Sequence, residues 1–484
     1  MKKTITAISF LLAINSAYAS NCDTKELRER VLTKIGYAPT TESMETLENY
    51  CNYENWINDQ LKDINLYSDK KIINKEKSFK IHQNDHIQFA IKYYKLNSIN
   101  TEDVLKELMS KRIDYALYSE NRIREMMFVF WMNHFSLYAE DQIYDVNSYE
   151  EIFRKNGFGK FKDILWEVVH HPAMLHFLDG EKNVKPTTIT RYGMPIKLGY
   201  NENYAREFLE LHTMGINSGY TQKDIEELTK ILTGFSTPSF VDLKLEEKFG
   251  NLDNIKNFND YEKYLRSNPQ EISIVYPNLT IFRNKLHDNT DKVFLGKTIK
   301  GNNEKEIKEV IDIVSALPQT ANFISKKIGL YFLGEEPTVE TLKDMSKVFL
   351  ETDGDISLVL KYLLNSEQFK KTLNKEITFK NPYEYYISTT KLTLNGKYVD
   401  NYNTIYYQLL TAGVHPYFKL TPEGYSLKGE DYLSQNFLHQ YINFSKFLTS
   451  PGCFNTELNL NENYYKMKSQ DYLGFLISKQ WLYK

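Results

Sequence analysis

The chain is poor in cysteine, with three in 484 residues, and its charges nearly cancel: 60 Lys and Arg against 63 Asp and Glu, a formal net charge of -3. It has no polybasic tract long enough to follow a phosphate backbone, which argues against nucleic acid as a partner. No apolar run reaches the roughly 20 residues that a spanning helix needs, so no integral membrane anchor is expected. The signatures of easily recognised enzymes are missing as well. There is no His-Glu-x-x-His, no Gly-x-Ser-x-Gly elbow, no phosphate-binding Gly-Lys-Ser/Thr loop and no dinucleotide glycine fingerprint.

What is present is a globular composition, 42% hydrophobic and 25% charged, with ample material for a buried core. The length allows about three domains or one large helical body. At the front, Lys2 and Lys3 precede an apolar stretch over 5–14, and Ala17-Tyr18-Ala19 supplies a small-x-small site. This pattern reads as a secretory signal peptide over 1–19, cleaved near Ala19, and places the mature protein in the periplasm or outside the cell. The head lacks an Arg-Arg pair, which favours export of an unfolded chain. Cys22 lacks the small-residue box of a lipoprotein, so a soluble mature protein is expected.

In an oxidising compartment Cys22, Cys51 and Cys453 allow three pairings. Cys22 with Cys51 is the preferred disulfide, because the two bracket an expected helix over 23–36 and its return, and closing that loop contributes about 3 kcal/mol. The alternative keeps all three as buried thiols.

Apolar residues recur at helical spacing through most of the chain. Helical regions are expected over 23–61, 101–135, 161–170, 172–178, 202–213, 221–233, 304–317, 318–332, 339–351, 356–369 and 472–482. Thr221 with Asp224 resembles a capping box. The lysine-rich 65–82 reads as a loop, and the charged, irregular 236–271 as an insertion. Ile281-Phe282 and Val293-Phe294-Leu295 flank a turn at 288–291, suggesting a hairpin. The fold class is therefore mainly α, a large multi-helix body with a small β-hairpin insertion near 276–299. The division that follows is a signal peptide over 1–19, a main helical domain over 20–379 carrying the insertion 236–300, and a C-terminal helical segment over 380–484 packed upon it.

The most informative string runs over 199–213. At about 100° per residue, Asn203, Arg206, Glu207 and Glu210 share one stripe, with Ala205, Phe208, Leu209 and His212 opposite. Two carboxylates three apart beside an arginine can bind a cation, act as acid and base, or form an ion-pair ladder, and the ladder ranks first. Glu210 and His212 lie across the helix from each other and cannot chelate one ion, so His212 reads first as a core histidine. Further histidines stand at His134, His170-His171 and His287-Asp288 without diagnostic metal spacing. Asp353-Gly354-Asp355 reads as a turn. The 36 tyrosines and 28 phenylalanines are dispersed along the chain, and packing is their default role.

Several strings carry a resemblance. Phe130-Trp131-Met132-Asn133-His134-Phe135, His171-Pro172-Ala173-Met174-Leu175 with Leu178-Asp179, and above all 201–215 resemble the exported bacterial family catalogued as domain of unknown function 1800. The likeness continues through Tyr220-Thr221-Gln222-Lys223-Asp224, Leu232-Thr233-Gly234-Phe235, His287-Asp288 and Leu295-Gly296. It implies a secreted, mainly helical protein, often encoded beside an exported alkaline-phosphatase-like protein, which is then the candidate partner. It implies no established reaction. Two departures stand out: the family has His-Asn-His-Phe where this chain has Met132-Asn133-His134-Phe135, and His-Pro where it has Leu317-Pro318.

Two functional readings follow. In the first, the stripe, His134, the 171–179 segment and His287-Asp288 converge on one polar pocket that binds or processes an extracytoplasmic substrate, as a hydrolase would. Glu207 or Glu210 is then the base, Arg206 the anion clamp, and His134 or His171 the proton shuttle, while Asn203, Asp179, His287 and Asp288 contact substrate. A divalent metal is an option within this reading that no ligand spacing demands. In the second, the protein is a non-catalytic scaffold or partner-binding protein, and the same groups form a buried ion network that orients helices.

Overall fold

The computed structural model describes residues 22–62, 70–77, 79, 81, 100–139, 143–191, 194–237, 259–260, 262–263, 272–374, 379–399 and 402–448. The expected signal peptide, Cys453, the helix over 472–482 and most of the 236–271 insertion lie outside the described residues. The fold is mainly α with small β elements.

Three short helices open it: α1 (Lys25–Lys34), α2 (Thr41–Glu48) and α3 (Tyr53–Gln60), each begun by a side chain that accepts a first-turn N–H, from Thr24, Thr40 and Asn52. Cys22 and Cys51 are joined by a disulfide with Cα atoms 4.6 Å apart. A helix, α4 (Lys70–Glu76), stands where the lysine-rich stretch reads as a loop. Its partners are tertiary, which is why the local pattern misses it: Ile72 is buried and Lys75 pairs with Asp114 at 2.7 Å.

The region 101–135 is two helices, α5 (Thr101–Tyr118) and α6 (Arg122–His134), separated where Asn121 caps the second. Both are buried nearly all round, so they carry charged side chains such as Arg112 and Glu125 into the interior. Then come α7 (Val146–Asn156), α8 (Phe161–Val169) and α9 (Pro172–Phe177). α10 (Asn203–Glu207) runs on as a π-helical turn, Phe208–Thr213, and α11 (Gln222–Ile231) starts at the Thr221–Asp224 capping box.

The β elements are small. β1 (Thr187–Arg191) and β2 (Met194–Leu198) form a hairpin that no alternation in the sequence announces. β3 (Phe235–Ser236), β4 (Ile274–Val275) and β5 (Ile281–Phe282) form a three-stranded sheet with β5 in the middle. The hairpin near 276–299 is β6 (Lys292–Phe294) with β7 (Lys297–Ile299), closed by Leu295 and Gly296, both at positive φ. Ile281-Phe282 therefore pairs with β3 and β4 and not with residues 293–295. The two-residue turn at 295–296 gives β6 a nearer partner.

The second half is helical: α12 (Glu306–Ser315), α13 (Pro318–Leu333), α14 (Val339–Glu351), α15 (Ile356–Leu364), α16 (Glu367–Leu373), α17 (Pro382–Leu394), α18 (Asn403–Thr411) and α19 (Gln435–Leu448). α17 packs against α5 and α19. Its Lys391 is buried and donates to the carbonyls of Gly36 and Ala116. Buried apolar residues form a single cluster from Val31 to Leu448, so the ends of the described chain share one core. No helix among the described residues is long and apolar enough to cross a membrane.

Candidate functional site

The 202–213 segment is not a regular helix. Past Glu207 it widens into the π turn, where Met214 N–H reaches Leu209 O at 2.9 Å and the Thr213 hydroxyl donates to Phe208 O at 2.7 Å. On its outer face Arg206 donates to Glu202 (2.8 Å), Glu210 (3.1 Å) and Gln222 (3.0 Å), and Gln222 donates to Glu202. This is an ion-pair ladder, and it occupies the guanidinium expected to serve as an anion clamp. Asn203 donates to Leu178 O, tying α10 to the end of α9. Glu207 is half-buried beside Glu210, and burial together with that neighbour raises its carboxyl, with Arg206 opposing.

On the inner face, His212 and His134 are both buried. His134 Nε2 donates to the His212 carbonyl at 3.1 Å, which fixes its tautomer, and its ring lies among Phe130, Trp131 and Phe135. Burial pushes His134 well below the usual histidine range and His212 to about 3, with Lys327 adding to both. Neither gains a proton near neutral pH, and neither reaches the stripe outside.

The remaining expected site residues belong to separate networks. His171 caps α9: its Nδ1 accepts the Ala173 N–H at 3.3 Å, so Nε2 carries the proton and donates to Ser148 Oγ at 3.2 Å. Ser148 in turn donates to Asp145 O, a direction that leaves His171 no lone pair with which to act as a base toward Ser148. Asp179, at φ 57°, pairs with Lys182 at the surface. His287 is sealed with Glu306 (3.0 Å), which also holds Lys292 (2.6 Å), and its Nδ1 lies 2.8 Å from Thr233 O. Asp288 accepts from Tyr200 at 2.6 Å and from Thr290; burial alone would raise its carboxyl, but these hydrogen bonds outweigh it and hold it near about 2. The expected convergence on one polar pocket is thus corrected to separate networks, because the residues face different sides of the elements that carry them. Among the described residues no three His, Cys, Asp or Glu side chains are grouped so as to hold a metal ion.

A small cleft lies elsewhere, with a cavity volume of about 60 Å³ and open to solvent. Its walls come from α5, the end of α6, α13, the start of α17 and the 414–432 loop, with Arg112, Asn133, Tyr331, Tyr383, Tyr425 and Tyr432 among its lining. Met132 lines it too. Asn133 secures the loop by donating to Tyr425 O (2.8 Å) and accepting Tyr425 N–H (2.7 Å). Gly424 is required at φ 79°, since a Cβ there would come within 2.1 Å of Asn133 O. Ser136 donates to Pro422 O beside this clamp.

Arg112 is 3% exposed. Its guanidinium lies over the rings of Phe128, Tyr383 and Tyr417, 3.9 Å from Glu150, whose Oε1 accepts the Tyr417 hydroxyl at 2.6 Å. Burial works against this charge, while Tyr383, Tyr417 and Glu150 raise its pKa above the ordinary value. Nε and Nη1 make no hydrogen bond of normal geometry, and the same holds for the hydroxyls of Tyr331 and Tyr383. Burial raises both phenols, Tyr383 to about 12, so they remain protonated donors at neutral pH. Among the described residues no acid and no histidine lines the cleft. It is a place that offers donors and lacks a base, suited to holding oxygen acceptors and not to proton abstraction.

Sequence reasoning misses this site apart from Asn133, which stands in the Phe130–Phe135 motif. Its tyrosines come from three distant segments, and no spacing links them.

The family described as "Protein of unknown function (DUF1800)" matches residues 30–481. No curated protein and no solved structure gives a match. With the match spanning nearly the whole chain, and with Asn133 and His134 bracing the cleft and the π turn from one helix end, the chain belongs to the DUF1800 family.

Proposed function

We propose that this is an exported binding protein that holds a small organic ligand in the cleft over Arg112. The observation that carries the reading is Arg112 itself, a buried cation whose Nε and Nη1 make no hydrogen bond, lining an aromatic cleft in which no base stands among the described residues. Ligand sites commonly combine apolar walls with a few placed polar groups, as this cleft does. Export is supported by Lys2-Lys3, the apolar 5–14 stretch and Ala17-Tyr18-Ala19, and the Cys22–Cys51 disulfide suits an oxidising compartment.

The test is native mass spectrometry of protein recovered from the exported fraction, compared with Leu427→Trp, which fills the cleft from its loop side. A small-molecule adduct present in the wild type and lost in the variant is expected, on a chain that begins at Ser20. An adduct that survives Leu427→Trp would place the ligand elsewhere, and a retained leader would overturn export.

One observation favours a second reading, catalysis at the stripe: the Glu207 carboxyl is raised beside Glu210, the arrangement of a general acid with a neighbouring carboxylate. Glu207→Gln decides it. Loss of a hydrolytic activity on an extracytoplasmic ester or glycoside by the folded variant supports catalysis, and unchanged activity removes it.

A further inference from the structure

We infer that the ligand of the cleft is a small organic anion whose carboxylate or phosphate oxygens sit between Arg112 and the first turn of α17, an inference that rests on the cleft being a binding site. Two independent features meet there. The first is Arg112, almost fully buried and lining the cleft, with no hydrogen bond at Nε or Nη1 and Glu150 3.9 Å from Nη1. The second is the N-terminus of α17, a helix of 13 residues whose Asn381 and Pro382 also line the cleft. The first turn of a helix carries N–H groups with no intrahelical acceptor and the positive end of the helix dipole. Here Pro382 has no N–H, and Asn381 Oδ1 accepts the N–H of Glu384 at 2.9 Å, so the N–H of Tyr383 is the one facing no acceptor within its own helix. The Tyr331 and Tyr383 hydroxyls add donors on the same wall.

The charges nearby are paired, and what the cleft offers is donors without hydrogen bonds. Glu150 is engaged by Tyr417 and lies against Arg112, Glu125 is bonded to Arg154 at 2.9 Å, and Glu384 is opposed by Lys380. Each buried acid thus has its own cation, Arg112 being that of Glu150, and the donors left without a hydrogen bond, Arg112 Nε and the Tyr331 and Tyr383 hydroxyls, point to an acceptor from outside. An oxyanion satisfies more of them than a neutral carbonyl, because hydrogen bonds between charged partners are stronger. The body of the ligand packs on Tyr425, Tyr432 and Leu427. The acceptor sits on aromatic walls, so a flat or ring-shaped acid fits better than an extended chain.

The experiment uses the mature chain and matched pairs: benzoate with benzamide, glucuronate with glucose, and phenyl phosphate with phenol. Binding is read by ligand-observed NMR and titration at low and high salt, on the wild type and on Arg112→Lys, Tyr383→Phe and Leu427→Trp, each checked for a native melt. At least one anion should bind about tenfold more tightly than its neutral partner. That binding should be abolished by Leu427→Trp, weakened about tenfold by Arg112→Lys and several-fold by Tyr383→Phe, and the carboxylate and phosphate arms tell which oxyanion the site takes. If Arg112→Lys does not fold, Tyr383→Phe carries the test. Neutral partners binding as well as the anions, in a manner lost in Leu427→Trp, would leave the cleft standing and overturn the anion. Binding indifferent to Leu427→Trp, or none by any member at millimolar concentration, overturns both.

Discussion

The α10 stripe and the floor of the cleft are built from the same residue types, arginine beside glutamate, yet they do different things. Arg206 sits among Glu202, Glu210 and Gln222 with its side chain about a third exposed, 34%. Water already solvates each rung, so the ladder contributes little. Arg154 and Glu125 are 1% and 2% exposed, and the Arg154 guanidinium lies 3.6 Å from the centre of the Phe128 ring. There the pair must satisfy itself, since removing one partner strands a charge in the core. Arg112 adds a further difference: its counter-charge is near, but Nε and Nη1 make no hydrogen bond. Exposure, more than sequence pattern, separates a solvated face from a buried pair.

The largest expected effect tests the buried side of this contrast. Arg154→Met should lower the free energy of unfolding by about 3–5 kcal/mol, measured by urea titration. A loss below about 1 kcal/mol would put the buried pair on the same footing as the surface ladder and remove the contrast.

Next is the response to acid. Burial holds His170 at about 4 and His212 at about 3, the latter with help from Lys327. The unfolded chain binds these protons near pH 6.5 and the folded chain does not, so stability is fully present above about 6.5 and falls as pH drops toward 4. The slope is at most about 1.4 kcal/mol per pH unit for each histidine. His212→Gln should flatten it; an unchanged slope in that variant would show that His212 does not stay neutral inside the fold.

Asn133→Ala removes two hydrogen bonds from the loop that walls the cleft and should cost about 1–2 kcal/mol. Amide exchange should quicken over 422–427 and stay unchanged over 203–213. Equal quickening in both would show that the cleft and the stripe open as one unit.

The smallest effect is expected on the ladder. Arg206→Ala should cost less than about 1 kcal/mol, and less again at high salt. A larger loss would mean that the stripe orients α10 against α11.

The elements that sequence reading locates are those whose causes are local. Thr221 with Asp224 caps α11, Pro172 and Pro318 open α9 and α13, and the apolar spacing of α14 and α15 leads to their buried faces. His171 and Leu317 show how far such reading goes: each precedes a proline at a helix start, but only His171 has a side chain that accepts a first-turn N–H. The π turn escaped because periodicity assumes a constant 3.6 residues per turn, whereas Thr213 and Met214 bond five residues back. α4 escaped because its reasons lie in Asp114 and Tyr402, far along the chain.

By itself the sequence determined a mainly helical protein, the placement of most helix starts, and family membership, while it only preferred the Cys22–Cys51 pairing that the structure shows. These follow from spacing, caps and short loops, all of which act over a few residues. Only the tertiary structure decided which charged groups matter. Asn133 and Tyr425, 292 positions apart, meet to wall the cleft. Folding buried Arg112 and left its Nε and Nη1 without a hydrogen bond, whereas Arg206, equally visible in the sequence, kept its partners and its water. Burial and pairing are properties of the packed interior, and no local pattern contains them.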